Sequence, residues 1–534
     1  MISKTKILLI LWQVILPILS GFCKSPLPYL QNDGNTSRLI VDGKPFLMLA
    51  GEIGNSSAFP DYLHPHWPNL AALNLNTLLT PVYWEMIEPT EGQFDFGLVD
   101  GLIADARKAN IRLVLLWFGS WKNCMSCYVP SWVKIDTQRF PRAQDKSGRG
   151  MEILSPFSRA NLEADARAFA ALMRHLRQVD GVAHTVILVQ VENEVGIIPD
   201  SRDRSVVAES LFQAPVPSEL ITRLMQEKER LHPTLRQAWS SGGFRTSGSW
   251  SEVFGPSPLT DDFFMAWHLA RYIDQVAERG KAEYPLPMFV NAALIRPGYQ
   301  PGQYASGGPL PHNLEIWKAA APHIDFAAPD IYFGDFTDWT AQYRRPDNPL
   351  FIPEIQPGPN NGVQALYAFG QHKAMGFSPF AIESIDAETR AALADAYGLL
   401  AGMAPFLLEG YPGALSFGLL SKGPEQRQPQ RLIAGDFVVN VQYDRESWER
   451  SGGLLWVLSR NEFLVAGAGL TITFESAGPE DERAGILWAQ EVRFVGGAPQ
   501  PIRRLNGDQT HQGRHIRLEP GKMSAQRFRL YKYR

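Results

Sequence analysis

Between residues 46 and 386 the chain carries eight short apolar runs with helical patterns between them, and few folds accommodate that alternation. The runs are FLMLAGEIG (46–54), NTLLTPVYW (76–84), RLVLLWFGSW (112–121), HTVILVQVENE (184–194), PMFVNAAL (287–294), IDFAAPDIYF (324–333), PLFIPEI (349–355) and FSPFAIESID (377–386). Continuous apolar runs suit strands covered on both faces, because neither face meets water. Residues 98–109 place Val99, Leu102, Ile103 and Ala106 on one helix face. Residues 158–178 do the same with Leu162, Ala166, Phe169, Leu172 and Leu176, at spacings of three and four. Segments 261–279, 363–376 and 387–401 read likewise. Eight strands with intervening helices predict an α/β chain whose residues 24–404 form a (β/α)8 TIM barrel. A doubly wound open sheet is the structural alternative, but no G-x-G-x-x-G follows the first run. Segments 198–216 and 234–260 are rich in Ser, Gly and Pro and predict loops over the site.

The pattern changes after about residue 405. DFVVNVQY (436–443), GGLLWVLSR (452–460), LTITFES (470–476), EVRFVGG (491–497) and HIRLEP (515–520) are β-like, with Gly and Pro between them. They predict a C-terminal β-sandwich domain over 405–534. Residues 1–23 carry Lys4 and Lys6, an apolar stretch over 7–19, and then the small residues Ser20 and Gly21. That order predicts a secretory signal peptide and a periplasmic or extracellular protein. An uncleaved anchor and a lipoprotein attached through Cys23 are the alternatives, although Phe22 stands where lipid attachment prefers a small residue. A membrane is a partner only if Cys23 is lipidated. No second apolar run of about 18 residues is expected after it, so the rest of the chain is expected to be soluble. Cys124 and Cys127 form a C-x-x-C without the second pair a zinc site needs, and read as a small disulfide or as two reduced thiols. The formal charge of −4, without a basic stripe, argues against a nucleic-acid partner.

Catalytic groups of a barrel come from the C-terminal ends of its strands. The fourth run ends Gln190-Val191-Glu192-Asn193-Glu194-Val195-Gly196, and the seventh holds Glu354 between Pro353 and Ile355. Acids buried without partners are costly, so carboxylates at these positions need a purpose or a pair. Glu192 and Glu194 lie two residues apart, so strand alternation alone does not separate them; Glu194 is nearer the mouth. Two carboxylates on opposite walls of one mouth suit glycoside hydrolysis, in which one protonates the leaving oxygen and the other captures the sugar carbon. A phosphate-binding glycine loop and a G-x-S-x-G elbow are both missing from the sequence. His64-Pro65-His66 has no matching cluster of acids or histidines and reads as a loop, so neither metal nor other cofactor is expected.

VQVENEVG (189–196) resembles the acid/base motif of glycoside hydrolase family 35, the β-galactosidases. TPVYWEMIEPTEGQFDF (80–96) resembles that family's second-strand motif, and FIPEI (351–355) its nucleophile strand. The resemblance covers roughly residues 38–400, and the C-terminal part looks like the small β-domain of one bacterial branch. It implies that Glu194 is the acid/base, Glu354 the nucleophile and Asn193 a ligand of the sugar hydroxyl beside the reacting carbon. It further implies that Tyr332 bonds the nucleophile and that Glu52, Asn55, Trp84 and Glu85 line the sugar pocket, with Trp121 and Asn123 in the region after strand three.

The chain departs from the family in places. Pro81-Val82-Tyr83-Trp84 stands where many members have Tyr-Val-Pro-Trp, Trp121-Lys122-Asn123 where many have Cys-Ala-Glu, and Gln356 where many have an aromatic residue. The implied activity is a retaining exo-β-galactosidase acting on galactose-containing oligosaccharides or plant cell-wall polysaccharides. Another exo-β-glycosidase on the same barrel and a catalytically silent carbohydrate-binding protein are the rival readings.

Overall fold

The computed structural model describes residues 25–34, 37–409 and 415–534. The expected signal peptide and Cys23 lie outside them. Eight parallel strands close into one barrel: β1 (Met48–Glu52), β2 (Thr77–Tyr83), β3 (Arg112–Lys122), β4 (Val186–Asn193), β5 (Met288–Ala293), β6 (Phe326–Ile331), β7 (Phe351–Ile355) and β8 (Gly376–Pro379). Closure comes from β8 pairing with β1 through Gly376–Met48 and Phe377–Leu49. All eight apolar runs became strands, and the open-sheet alternative falls away. The eighth run is shorter than expected: after Pro379 the chain leaves the barrel and makes a 3-10 turn at Ile382–Ser384.

The outer layer includes α1 (Gly97–Ala109), α2 (Arg159–Asp180), α3 (Pro258–Glu283), α4 (Asn361–His372) and α5 (Ala387–Glu409). On α1 the expected face of Val99, Leu102, Ile103 and Ala106 is buried. Helix α2 starts at Ser158, whose hydroxyl accepts the Asn161 N–H, as an N-cap should. At its other end Asp180 accepts the N–H groups of Thr185 and Val186 at 3.0 and 2.7 Å, tying the helix to the start of β4. On α2 Leu162 is only half-buried, while the polar Asp165 is fully buried, for a reason that lies in β4.

Segments 198–216 and 234–260 are not the loops their composition suggested. They carry helices at Val206–Gln213, Pro233–Ser241 and Trp250–Phe254, each anchored by buried aromatic residues such as Phe212, Trp239 and Trp250. His64–His66 forms a 3-10 turn between two short helices.

Helix α5 runs through the expected boundary at 404/405 and on to Glu409. It is the one helix among the described residues long and apolar enough to cross a membrane, which differs from the expectation of no second such run. Here it packs as a barrel helix: the Tyr397 hydroxyl lies 2.8 Å from the carbonyls of both Ala50 and Phe377. Beyond it, a six-stranded and a four-stranded antiparallel sheet enclose a second core that includes Phe437, Val439, Leu455, Phe463 and Phe528. The inner strands of the six-stranded sheet are covered on both faces. In its strand Gly452–Ser459, Leu455 and Val457 face the second core, while Leu454 and Trp456 join the core of the barrel. The period-2 alternation of a strand makes that split. Trp456 meets Phe406 of α5 edge-on, with ring centroids 4.0 Å apart.

The C-terminal sheets are therefore expected to unfold with the barrel. Trp456→Ala should destabilise the protein by about 3–5 kcal/mol, the usual cost of emptying a buried aromatic site. Chemical denaturation followed by tryptophan fluorescence and circular dichroism should show a lower midpoint, with the two probes no longer coincident.

Candidate active site

The strand ends converge on a cavity of about 470 Å³ at the C-terminal mouth of the barrel. Asn55, Asn123, Glu194, Asp330, Tyr332 and Glu354 line it. Its rim carries Arg296 and Tyr299 from the long segment after β5, with Phe333 and Phe380 beside them. This segment after β5, more than the two segments expected from composition, walls the site.

Glu354 sits on β7, and its carboxylate is held by three donors. The Tyr332 hydroxyl donates to Oε2 at 2.7 Å, and Asn193 Nδ2 donates to Oε1 at 3.1 Å. Asn291 Nδ2 lies 3.4 Å from the same Oε1. The Asn193 amide is itself oriented, because the Lys122 ammonium gives a 2.9 Å hydrogen bond to its Oδ1. An ammonium can only donate, so the amide oxygen must face it and the NH2 is left for Glu354.

Glu194 lies one residue past β4. One carboxylate oxygen each from Glu194, Asp330 and Glu354 lie within 4.8 Å of one another. The Asn123 side chain donates to Glu194 Oε2. Burial, and then the charge on Glu354, push the Glu194 carboxyl up to about 7, against the pull of Lys122, Asp330 and Asn123. The site thus has one carboxyl able to carry a proton near neutrality and another fixed by hydrogen-bond donors. Both residues take N–H or O–H donors on their oxygens, the environment of carboxylates that handle protons and hydroxyls.

The backbone sends Glu192 and Glu194 to different places. Both have positive φ, 63° and 44°, so the simple alternation of a strand ends at Glu192. Glu192 does not line the cavity. Its Oε2 accepts the Trp121 N–H at 2.7 Å, and its carboxyl is paired with the buried Asp165 of α2. Asp165 in turn takes the Trp117 indole N–H at 2.9 Å and the Ser120 hydroxyl at 2.6 Å. This is why α2 buries an acid. Gly119 belongs to the same cluster: a Cβ there would lie 2.2 Å from Trp117 Nε1 and 2.6 Å from Glu192 Oε1.

Asn123 and Cys124 also have positive φ, 50° and 63°. The backbone N–H of Cys124 donates to the Glu194 carbonyl at 3.1 Å, and its thiol lies 3.2 Å from the same oxygen. Two strained segments, after β3 and at the end of β4, therefore hold each other. Such conformations cost on the order of 1–3 kcal/mol each and persist where their surroundings over-determine them. Cys124 is buried, Cys127 is exposed and both are free thiols.

Several expected pocket residues lie elsewhere. Trp84 starts a short helix and gives its indole N–H to Glu88 at 3.0 Å. Glu85 faces Lys134 at 3.7 Å. Trp121 is buried edge-on against Tyr272 at 4.6 Å. None of the three lines the cavity, because the chain turns into a helix after Tyr83 and β3 turns Trp121 towards α3. Glu52 is wholly buried beneath the acid cluster, with neither carboxylate oxygen hydrogen-bonded. Burial first, and then Glu354, push its carboxyl well above the usual range. Asn193 is also buried, behind Glu354 rather than in the cavity lining. Asn55 does line the cavity, and its Oδ1 has no partner. Its loop is pinned by Glu383, which accepts the Ser57 hydroxyl at 2.6 Å and the Gly54 N–H at 3.1 Å.

Sequence reasoning did not single out Lys122, Asn291, Asp330 or Glu383. Asp330 and Asn291 sit in apolar runs, as Glu354 does, and a polar residue in such a run was the available signal.

Comparison with known proteins places this barrel beside β-galactosidases. Residues 68–272 match a family model described as beta-galactosidase, glycoside hydrolase family 42. Residues 393–517 match a domain of unknown function, DUF5597, which begins inside α5. A beta-galactosidase of Xanthomonas manihotis is 29% identical over 169 residues, 31% of this chain and 26% of that protein. The chain thus spans about a quarter of the length of that relative. The beta-galactosidase of Rahnella sp. R3 superimposes with a TM-score of 0.47 at 17% identity, covering 72% of this chain and 58% of that one. The beta-galactosidase of Bacillus circulans sp. alkalophilus gives 0.48 at 16% identity, covering 68% and 57%. The matching model is that of family 42, whereas the sequence motifs resembled family 35; the two agree on likeness to β-galactosidase-type glycoside hydrolases. The matched segment includes Asn193 and Glu194 and stops before Asp330, Tyr332 and Glu354.

Proposed function

We propose that this protein is a secreted, retaining exo-β-galactosidase that removes terminal β-galactosyl residues from oligosaccharides or cell-wall polysaccharides. The observation that carries the reading is the opposed pair Glu194 and Glu354, whose oxygens lie within 4.8 Å and whose surroundings differ. Retaining glycosidases place their carboxyl groups about 5–5.5 Å apart, leaving no room for a water between them. In the first step Glu354 attacks the anomeric carbon as the glycosidic C–O bond breaks, and Glu194 gives its proton to the departing oxygen. In the second step Glu194 takes a proton from water, which displaces Glu354 from the sugar. Asn55, with its free Oδ1, and Asn123 are available for sugar hydroxyls. Room for the rest of the substrate lies across Arg296, which also borders a neighbouring depression of about 430 Å³ containing Trp339. The family-35 assignment rests on VQVENEVG and FIPEI, and β-galactoside hydrolysis is the activity common to both family likenesses. Secretion rests on the leader pattern of residues 1–23.

A second reading, another exo-β-glycosidase, is favoured by Lys122 and Asn123, which stand where many family-35 members carry Ala-Glu. Hydroxyl discrimination depends on such polar partners. A panel of chromogenic β-glycosides separates the two readings, because galactoside cleavage selects the first and cleavage of another glycoside alone selects the second.

Glu354→Gln should fold normally and lose about 10³-fold or more of its turnover, since an amide is a poor nucleophile. A fluorosugar that traps the covalent intermediate should label a peptide containing Glu354; labelling confined to another peptide removes Glu354 from the role.

The pH profile follows from Glu194. The acid works only while protonated, so kcat/KM should fall as pH rises through about 7. Glu194→Ala should abolish that limb and impair substrates with poor leaving groups most. Azide, which needs no deprotonation, should rescue the second step and yield a β-galactosyl azide. Rescue in Glu192→Ala and not in Glu194→Ala would reverse the assignment.

A further inference from the structure

The two-carboxylate mechanism leaves a third acid of the cluster unexplained. Asp330 lies near the end of β6, stands in register with Glu354 on β7 and is only 1% exposed. Its Oδ2 accepts from Asn291 Nδ2 at 2.7 Å, while its Oδ1 is buried and receives no N–H or O–H donor. Asn291 is fixed the right way round, because its Oδ1 takes the backbone N–H of Glu194 at 2.9 Å. The carboxyl of Asp330 meets that of Glu194 in the cluster, and Oδ1 is the oxygen that no other donor occupies. Two carboxylates facing each other without a donor repel, whereas a proton on one turns the contact into a strong O–H···O hydrogen bond.

We infer that Asp330 stays protonated throughout the reaction and is a positioning residue for Glu194, donating its O–H to the carboxylate formed when Glu194 yields its proton to the leaving oxygen. The inference rests on the acid/base reading of Glu194. The proton of Asp330 is not transferred: the leaving oxygen receives the Glu194 proton, and water later returns one to Glu194. The groups around Asp330 favour the neutral form on balance. Glu52 comes from β1, Lys122 from β3, Glu194 from the end of β4, Glu354 from β7, Tyr332 from just past β6 and Tyr343 from the following helix. Burial, and then the charges of Glu354, Glu194 and Glu52, push the Asp330 carboxyl well up, and Lys122 alone among them pulls the other way.

Asparagine is the isostere of a protonated aspartic acid in this setting. Its oxygen can accept from Asn291 while its NH2 donates to Glu194. With an alkyl β-galactoside as substrate, whose poor leaving group needs the Glu194 proton, Asp330→Asn should keep kcat/KM within about threefold of the wild type, with the alkaline limb unmoved. Asp330→Ala should lose on the order of 10²-fold. Its alkaline limb should move to higher pH by about one unit, because ionised Glu194 loses a donor. An ionised Asp330 predicts the opposite sign: both variants would remove a negative charge beside Glu194 and move the limb to lower pH. That result, or equal loss in the two variants, overturns the inference. Infrared difference spectra of the resting protein at pH 7 need no turnover. Wild type minus Asp330→Asn should show one protonated carboxyl band, and a carboxylate band there would overturn the inference. Failure of azide rescue in Glu194→Ala would instead remove the acid/base reading and leave the infrared result standing.

Discussion

Lys122 carries the positive charge around which the mouth of this barrel is organised. Glu52, Glu194, Asp330 and Glu354 all sense it, and all four are nearly or wholly buried. Were all four ionised, one ammonium would face four carboxylates in a region where water is scarce and charges are weakly screened. Burial pushes the carboxyls of Glu52 and Asp330 well up, and that of Glu194 up to about 7, which lowers the negative charge facing the one ammonium. Lys122 adds a second service: it orients the Asn193 amide, and so hands Glu354 a donor rather than a second acceptor.

The precision of that arrangement depends on backbone that few residues adopt willingly. Positive φ at Asn123, Cys124, Glu192 and Glu194 sends neighbouring side chains to different places. Glu192 goes to the interior seam between barrel and helices, where it meets Asp165, and Glu194 goes to the cavity. The two segments stay strained because each supplies the other's hydrogen-bond partners, most directly through Cys124 and the Glu194 carbonyl. Chemistry and scaffold thus share one set of contacts at the end of β4.

The C-terminal sheets are part of the same mechanical unit. Helices α4 and α5 close the barrel next to β8 and β1, and their outer faces are covered by the six-stranded sheet. Gly370 of α4 shows how closely they meet, since a Cβ there would lie 2.6 Å from Leu454 Cβ. The second core, between the two sheets, is a separate apolar layer that does not reach the cavity.

The sequence by itself determined the number of barrel strands, the buried face of α1, the β character of the C-terminal part, though not its boundary, and the two strand ends that carry Glu194 and Glu354. Each of these is a local pattern: an apolar run, a spacing of three and four, or an acid where an apolar run stops. Tertiary structure alone decided which polar residues meet. Asp330 stands beside Glu354, and Asn291 beside Glu194, only because β5, β6 and β7 align in one closed sheet. Periodicity shows which way a side chain leaves its own strand, but not which partner waits across the barrel. The same limit explains Trp84, Glu85 and Trp121, whose chain positions match a sugar pocket while a helix start and a turn of β3 carry them away from it. The proton on a buried acid is decided at that level too, since it depends on the sum of burial and neighbouring charge, which exists only once the barrel has closed.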